Sequence, residues 1–272
     1  MDTTTTATVV LKKSQRAVQI ECPASISAMC SLTQIQQFPP LVSWLQSLDH
    51  QMATATDSNS ISISKLSIQG VDAFKSGKIG FLKFSTDAYH YDNNNNRKKS
   101  IPGIVFLRGS SVAVLVILRT TKSAKVLSSS HLDSDYMVMV EQPRVAVPSF
   151  ALQELPAGMT DGDDAVGVST AVREMLEETG ITVTPGDLIS LSEHPLYPSP
   201  GACDESVALY ACEKHVSADE IESIRGRLGG LSDEHITVRL VRVCDVWKQA
   251  TDLKALAALY LWDRHNNNNN QN

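Results

Sequence analysis

Glu174, Glu177 and Glu178 stand at i, i+3 and i+4 in a stretch from Val166 to Thr179. Its apolar residues Val166, Val168, Ala171, Val172, Met175 and Leu176 recur at helical spacing. Three carboxylates on one edge of a helix repel one another. A hard divalent cation relieves that repulsion, and carboxylate oxygens suit Mg²⁺ or Mn²⁺. Read from the residues alone, a solvated acidic helix face is the competing interpretation. Gly180, directly after Thr179, is suited to end the helix in a left-handed cap. The Gly158 to Gly162 segment reads as a flexible loop leading the chain back past the carboxylates. The seven histidines form no HxH or HxxxH, and the five cysteines (Cys22, Cys30, Cys203, Cys212, Cys244) form no CxxC. Any metal must therefore be held by oxygen, and the thiols are expected to be reduced and mostly buried.

Helices and strands that could carry these carboxylates follow from the rest of the chain. A chain of 272 residues with 42% hydrophobic content can bury a sizeable core, so disorder throughout is excluded. Twenty-four Lys+Arg against 30 Asp+Glu give a net charge of -6, which argues against nucleic acid as a partner. No run approaches the roughly 18 apolar residues of a membrane helix, and the opening stretch lacks the order of a secretory signal. The expectation is a soluble intracellular protein, cytoplasmic by default, with an organelle left open.

Pro39-Pro40 should start a short helix carrying Trp44 and Leu48 on one side. SISKLSIQGVDAF and KIGFLKFSTDAYHY, separated by Lys75-Ser76-Gly77, read as a hairpin. These make a small N-terminal module at 1–100 with a flexible leader. After Pro102 come apolar runs typical of buried strands, GIVFLRG, SVAVLVILRT, YMVMVEQ, SVALYAC and ITVRLVRV, with helices near 166–179, 218–227 and 252–264. They predict an α/β mixed-sheet sandwich over 101–265. The asparagine tracts at 93–96 and 266–270 read as a loop tip and a frayed tail, with 266–272 disordered.

AGM, a loop, and then REMLEETGI resembles the Nudix box, G-x5-E-x7-R-E-U-x-E-E-x-G-U with U aliphatic. The match runs without a gap from Arg173 through Ile181. Upstream it departs: Ala165 stands where the box has glutamate, and Gly158 lies one residue early. Either the loop has a one-residue insertion or Asp164 takes over. Further segments, SIQGVDAF, KIGFLKF, IPGIVFLRGSSVAVLVIL, VEQPRV, QELPAGM, YPSPGACDESVALY and GGLSDEHITVRL, are similar in this order to the ADP-sugar pyrophosphatase branch of the Nudix hydrolases, from near Leu66 to Arg264. The implied architecture is a Nudix fold, a mixed β-sheet sandwich between helices, preceded by a smaller helix-plus-antiparallel-strand module.

The resemblance also implies roles. Glu174 and Glu178 match carboxylate metal ligands, Glu177 is the third acid of the metal edge, and Ala157 matches a position that lends its backbone carbonyl. Arg108, Arg144, Met159, Ser199, Pro200, Gly201 and Glu205 match residues that contact the nucleotide-sugar substrate. Glu234 is the candidate base on a loop, with Asp233 or Glu177 as alternatives, and Arg173 belongs to the same catalytic group. The implied activity is Mg²⁺-dependent hydrolysis, with Mn²⁺ as substitute, of ADP-ribose or ADP-glucose to AMP and sugar phosphate. UDP-glucose is the rival substrate, and a non-catalytic nucleotide-sugar binder is the rival class. A homodimer is implied too, with Trp44 and the 61–91 hairpin near its interface.

Overall fold

The computed structural model describes residues 4–55, 61–92, 97–120, 135–160, 167–231 and 234–269. The chain divides into two compact units, Met1–Gly109 with Ser199–Glu205, and Ser110–Pro198 with Ser206–Asn272.

The first unit opens with a hairpin in place of the expected flexible leader. Strands β1 (Thr4–Val10) and β2 (Ala17–Pro23) pair antiparallel along their full length. The threonines and valines of β1 are β-branched and fit an extended backbone, a signal masked in the sequence by the polar character of TTTT. Helices α1 (Ala24–Ser27), α2 (Leu32–Gln36) and α3 (Pro39–Thr54) then carry the chain to β3 (Ile61–Ala73), which pairs parallel with β2. The module is thus mixed, not purely antiparallel. Helix α3 starts at the proline pair as expected but runs for 16 residues. Leu41 and Leu45 face a core that includes Ile20, Leu66, Leu82 and Phe84, and the Trp44 ring packs edge-on to Phe84 at 5.2 Å. The predicted hairpin is present. Strand β3 pairs with β4 (Ile79–Asp92), and Gly77 takes φ +79 in the turn, where its N–H donates to the Phe74 carbonyl. Strands β5 (Arg97–Ile101) and β6 (Ile104–Leu107) both pair with β4.

The second unit is one mixed sheet covered on both faces. Its path is β11-β12-β7-β8-β14-β13, with β10 joined to β7 and β9 to β8. The strands are β7 (Ser111–Thr120), β8 (Tyr136–Arg144), β9 (Ser149–Glu154), β10 (Ala157–Met159), β11 (Ile189–Ser190), β12 (Val207–Val216), β13 (Leu228–Gly229) and β14 (Ile236–Arg242). Strand β7 explains its own continuous apolar run. Val112, Val114, Val116 and Leu118 face the core lined by Ala171, Met175, Ile221 and Ile224, whereas Ala113, Leu115 and Ile117 face Val246, Ala255, Ala258 and Trp262. A strand buried on both faces needs apolar residues at both parities. Helices α4 (Val168–Thr179) and α5 (Ala218–Ile224) supply the first face, and α6 (Val246–Gln249) and α7 (Leu253–Asn269) the second. The expected mixed sheet between helices is therefore realised.

Three boundaries differ from expectation. Helix α4 begins after Gly167 at φ +76, and α5 stops at Ile224, ahead of Gly226 at φ +73. Helix α7 continues to Asn269, so Asn266 to Asn269 are helical and not a frayed tail; the Asn267 amide donates to Asp263 one turn back. The tract at 93–96 lies outside the described residues. All five cysteines are free thiols, with Cys22, Cys30 and Cys212 buried. Among the described residues no helix is long and apolar enough to cross a membrane.

Candidate active site

Helix α4 sorts its three glutamates by depth. Ala171, Glu174, Met175 and Glu178 fall at i, i+3, i+4 and i+7, so the helix turns two carboxylates toward the sheet along with its apolar stripe. Glu178 is only 5% exposed. Glu177 lies off that stripe, where Arg173 sits 3.0 Å from a carboxylate oxygen of both Glu174 and Glu177. The trio is thus one buried acid, Glu178, and two half-buried ones, Glu174 and Glu177, both held by Arg173.

Strand β10 forms the wall opposite Glu174 and Glu178. The Ala157 N–H donates to Glu178 Oε2 at 3.0 Å, and a Cβ on Gly158 would lie 2.0 Å from Glu174 Oε1. A side chain at 158 would displace the Glu174 carboxylate, whereas the φ there is ordinary. The stretch beginning at Gly158 is therefore not a loop at its start: Ala157, Gly158 and Met159 pair with Ala113, Val112 and Ser111 of β7. Met159 is partly exposed at the end of that strand. Ala165, Asp164 and the rest of 161–166 lie outside the described residues, so the choice between an insertion and Asp164 does too.

Burial without a cation is costly for the inner acid. Desolvation pushes the Glu178 carboxyl up to about 8; the Ala157 N–H opposes the rise and the nearby charges of Glu174 and Glu234 add to it. Glu174 is also raised, by burial first, with Arg173 pulling the other way. Among the described residues no three His, Cys, Asp or Glu side chains are already set around one point as a complete ligand group. The donors present still fit a hard cation: two partly desolvated carboxylates one helical turn apart, facing a strand whose main chain reaches them. Glu174, Glu178 and the Ala157 carbonyl are the residues that could hold it.

The C-terminus of α4 is locked to the segment that leads to Glu234. Gly180 caps the helix at φ +67, its N–H on the Leu176 carbonyl at 2.9 Å. The next orphan carbonyl, of Glu177, accepts from Gly230 N–H at 2.7 Å, and the Arg227 guanidinium donates to the carbonyls of Thr179 and Gly180. A Cβ on Gly229 would lie 1.9 Å from the Glu178 carbonyl oxygen. Glu234 Oε2 accepts the Leu231 N–H at 2.9 Å. Its negative charge adds to the rise of both the Glu174 and the Glu178 carboxyls. Asp233 lies outside the described residues.

Arg144, at the end of β8, also acts on Glu178, its positive charge opposing the rise and so favouring the ionised carboxylate. Its Nε donates to Glu154 Oε2 at 2.6 Å. Glu154 Oε1 is 3.4 Å from Lys254 Nζ, which lies 2.9 Å from Asp252 Oδ1. The sequence reading missed Glu154, Asp252, Lys254, Arg227 and Gly229. For Glu154 a signal existed, three residues before Ala157 in QELPAG; the others depend on tertiary partners far along the chain.

The remaining candidates belong to the first unit, and they come together there. Arg108 Nη1 lies 3.4 Å from Glu205 Oε2. The N–H groups of Arg108 and Gly109 both donate to the carboxylate of Asp204, at 2.7 Å and 3.2 Å. Asp204 is nonetheless raised, because burial outweighs those bonds. Ser199, Pro200 and Gly201 form the turn before it, with the Cys203 N–H on the Ser199 carbonyl and the Phe106 N–H on that of Ala202.

Residues 109–262 match the NUDIX domain. The chain is 35% identical over 229 residues to Nudix hydrolase 14, chloroplastic, of Arabidopsis thaliana, an alignment covering 81% of this chain and 68% of the relative. The chain belongs to the Nudix family, and as a member it is a hydrolase of pyrophosphate bonds. A solved structure described as an ADP compounds hydrolase aligns with TM-score 0.49 at 14% identity, over 77% of this chain and 96% of that one.

Proposed function

We propose that the protein hydrolyses the pyrophosphate bond of a nucleoside diphosphate sugar, ADP-ribose or ADP-glucose, to AMP and a sugar phosphate, with Mg²⁺ as cofactor and Mn²⁺ as substitute. The observation that carries this reading is the buried Glu178 beside Glu174, facing Ala157 and Gly158, within reach of the charges of Arg144 and Glu234. A divalent ion held by Glu174, Glu178 and the Ala157 carbonyl supplies neutralisation of phosphate charge and lowers the pKa of water. Arg144 binds the anionic phosphates through its terminal nitrogens. Glu234 accepts the proton of the attacking water through Oε1, while the Leu231 N–H holds Oε2 in place. The water oxygen bonds to one phosphorus, the bridging P–O bond breaks, and two monophosphates leave.

Arg173 keeps Glu177 and the outer side of Glu174 paired, so we assign Arg173 and Glu177 to holding the metal edge in shape and not to proton transfer. Arg108, Met159, Ser199, Pro200, Gly201 and Glu205 are our candidates for substrate contact. The partner is this small molecule, with neither nucleic acid nor membrane involved. The assembly we propose is a homodimer. For compartment our reading is the cytoplasm, with an organelle as rival because the plant relative's name carries a chloroplast label. A panel of nucleoside diphosphate sugars incubated with Mg²⁺ and scored for monophosphate release tests the substrate. Preferential release of AMP supports the reading, and preferential release of UMP favours UDP-glucose. Binding without release identifies a non-catalytic Nudix-fold protein.

A further inference from the structure

We infer that Glu154 and Lys254 are positioning residues for Arg144, holding its guanidinium so that its two terminal nitrogens face a diphosphate. The inference rests on the reading above that Arg144 takes the phosphates. Arg144 lies where β8 loses register with β9, just after Pro143, which has no N–H to give the ladder. Its side chain is 45% exposed, so packing covers it only in part. What fixes it is the ion chain on its Nε. Glu154, whose side chain is 12% exposed, accepts from Nε with one oxygen and faces Lys254 Nζ with the other.

Lys254 is itself anchored. Asp252 Oδ1 accepts from both Lys254 Nζ and Lys254 N–H at the start of α7, while Oδ2 accepts the buried Leu155 N–H at 2.9 Å. Asp252 is thereby tied to the main chain next to Glu154 itself. Charges alternate along the series, arginine, glutamate, lysine, aspartate, so each acid lies between donors. Lys254 already neutralises Glu154 from one side, so Glu154 does not require Arg144 for its own compensation. Arg144 in turn gains a fixed plane from Glu154. With Nε engaged, the edge carrying Nη1 and Nη2 is the part of the fork left for a planar, bidentate contact, the geometry that suits phosphate. A loose arginine would bind the same anion as a mobile point charge, and misplacement by about 1 Å is enough to cost orders of magnitude in rate.

The test uses the full-length protein and reads calorimetric binding of ADP alongside KM and kcat for the preferred nucleotide sugar. Glu154→Gln should weaken ADP and raise KM about tenfold, with Lys254→Met acting in the same direction and less strongly. In an Arg144→Ala background, Glu154→Gln should change neither quantity further, because the group it positions is gone. Equal losses in both backgrounds would mark Glu154 as a general structural acid and overturn the inference, as would full ADP affinity in Glu154→Gln. If Glu154→Gln fails to fold, the same comparison is made with the more peripheral Lys254→Met. A wild-type protein that binds ADP but hydrolyses no nucleotide sugar would defeat the proposed function while leaving this comparison intact. One that binds no ADP would defeat the inference itself.

Discussion

In the proposed mechanism the chemistry turns on Glu178, and the burial of this residue makes an unusual stability prediction. With its carboxyl pushed up to about 8, the metal-free folded protein keeps a proton that the unfolded chain releases in the ordinary carboxylate range. Between those two values the unfolded state binds fewer protons, so stability falls as pH rises and levels off above about 8. Glu178→Gln removes that loss. The metal-free variant should melt several degrees above the wild type at pH 8 and show a smaller difference at pH 5, measured by scanning calorimetry in chelator; an unchanged or lower melting point at pH 8 would contradict it. At this scale the sequence was informative where spacing carries the meaning. Glu174 and Glu178 fall on one face through helical periodicity alone. Glu154 was not legible as a partner of Arg144, because their ion pair depends on how β8 and β9 pair, and Lys254 is 100 residues further along the chain.

At the scale of elements, the end of α4 and the β13 segment behave as one piece. Gly230 N–H and Arg227 satisfy carbonyls that the helix cannot satisfy itself, and Gly229 allows backbone to approach backbone. A methyl group at 229 would meet the Glu178 main chain, which cannot swing aside as a side chain can. Gly229→Ala should therefore destabilise the fold by about 2–3 kcal/mol in denaturant unfolding and lower turnover by displacing Glu234. A substitution at Gly186, where a Cβ meets only the Thr184 hydroxyl at 3.8 Å, is the matched control. Strands of the second unit were readable because burial on both faces leaves an unbroken apolar run, as in β7. Strand β1 was not, since its threonines look like a polar leader until β2 is beside them.

At the scale of the whole molecule, the return of Ser199–Glu205 to the first unit is the feature that sequence could not supply. A seven-residue excursion carries no periodic signal, and its anchors, the Arg108 and Gly109 N–H groups on Asp204, are more than 90 positions earlier. The proposed dimer also has to be weighed at this scale. Trp44, named for the interface, packs one edge on Phe84 of its own unit and is partly buried, and the 61–91 hairpin lies in the same unit. Light scattering should give about twice the chain mass of 29.6 kDa; a mass of one chain at working concentration would refute the dimer.

The proposed chemistry requires Glu174 and Glu178 to hold a hard divalent ion for attack on a pyrophosphate. Titrating Mg²⁺ into the wild type and into Glu178→Gln by calorimetry, each with and without nucleotide, tests it most directly. The wild type should show saturable uptake, with proton release below about pH 8, and the variant no comparable uptake. Equal uptake by both proteins, or none by the wild type in either state, would contradict it.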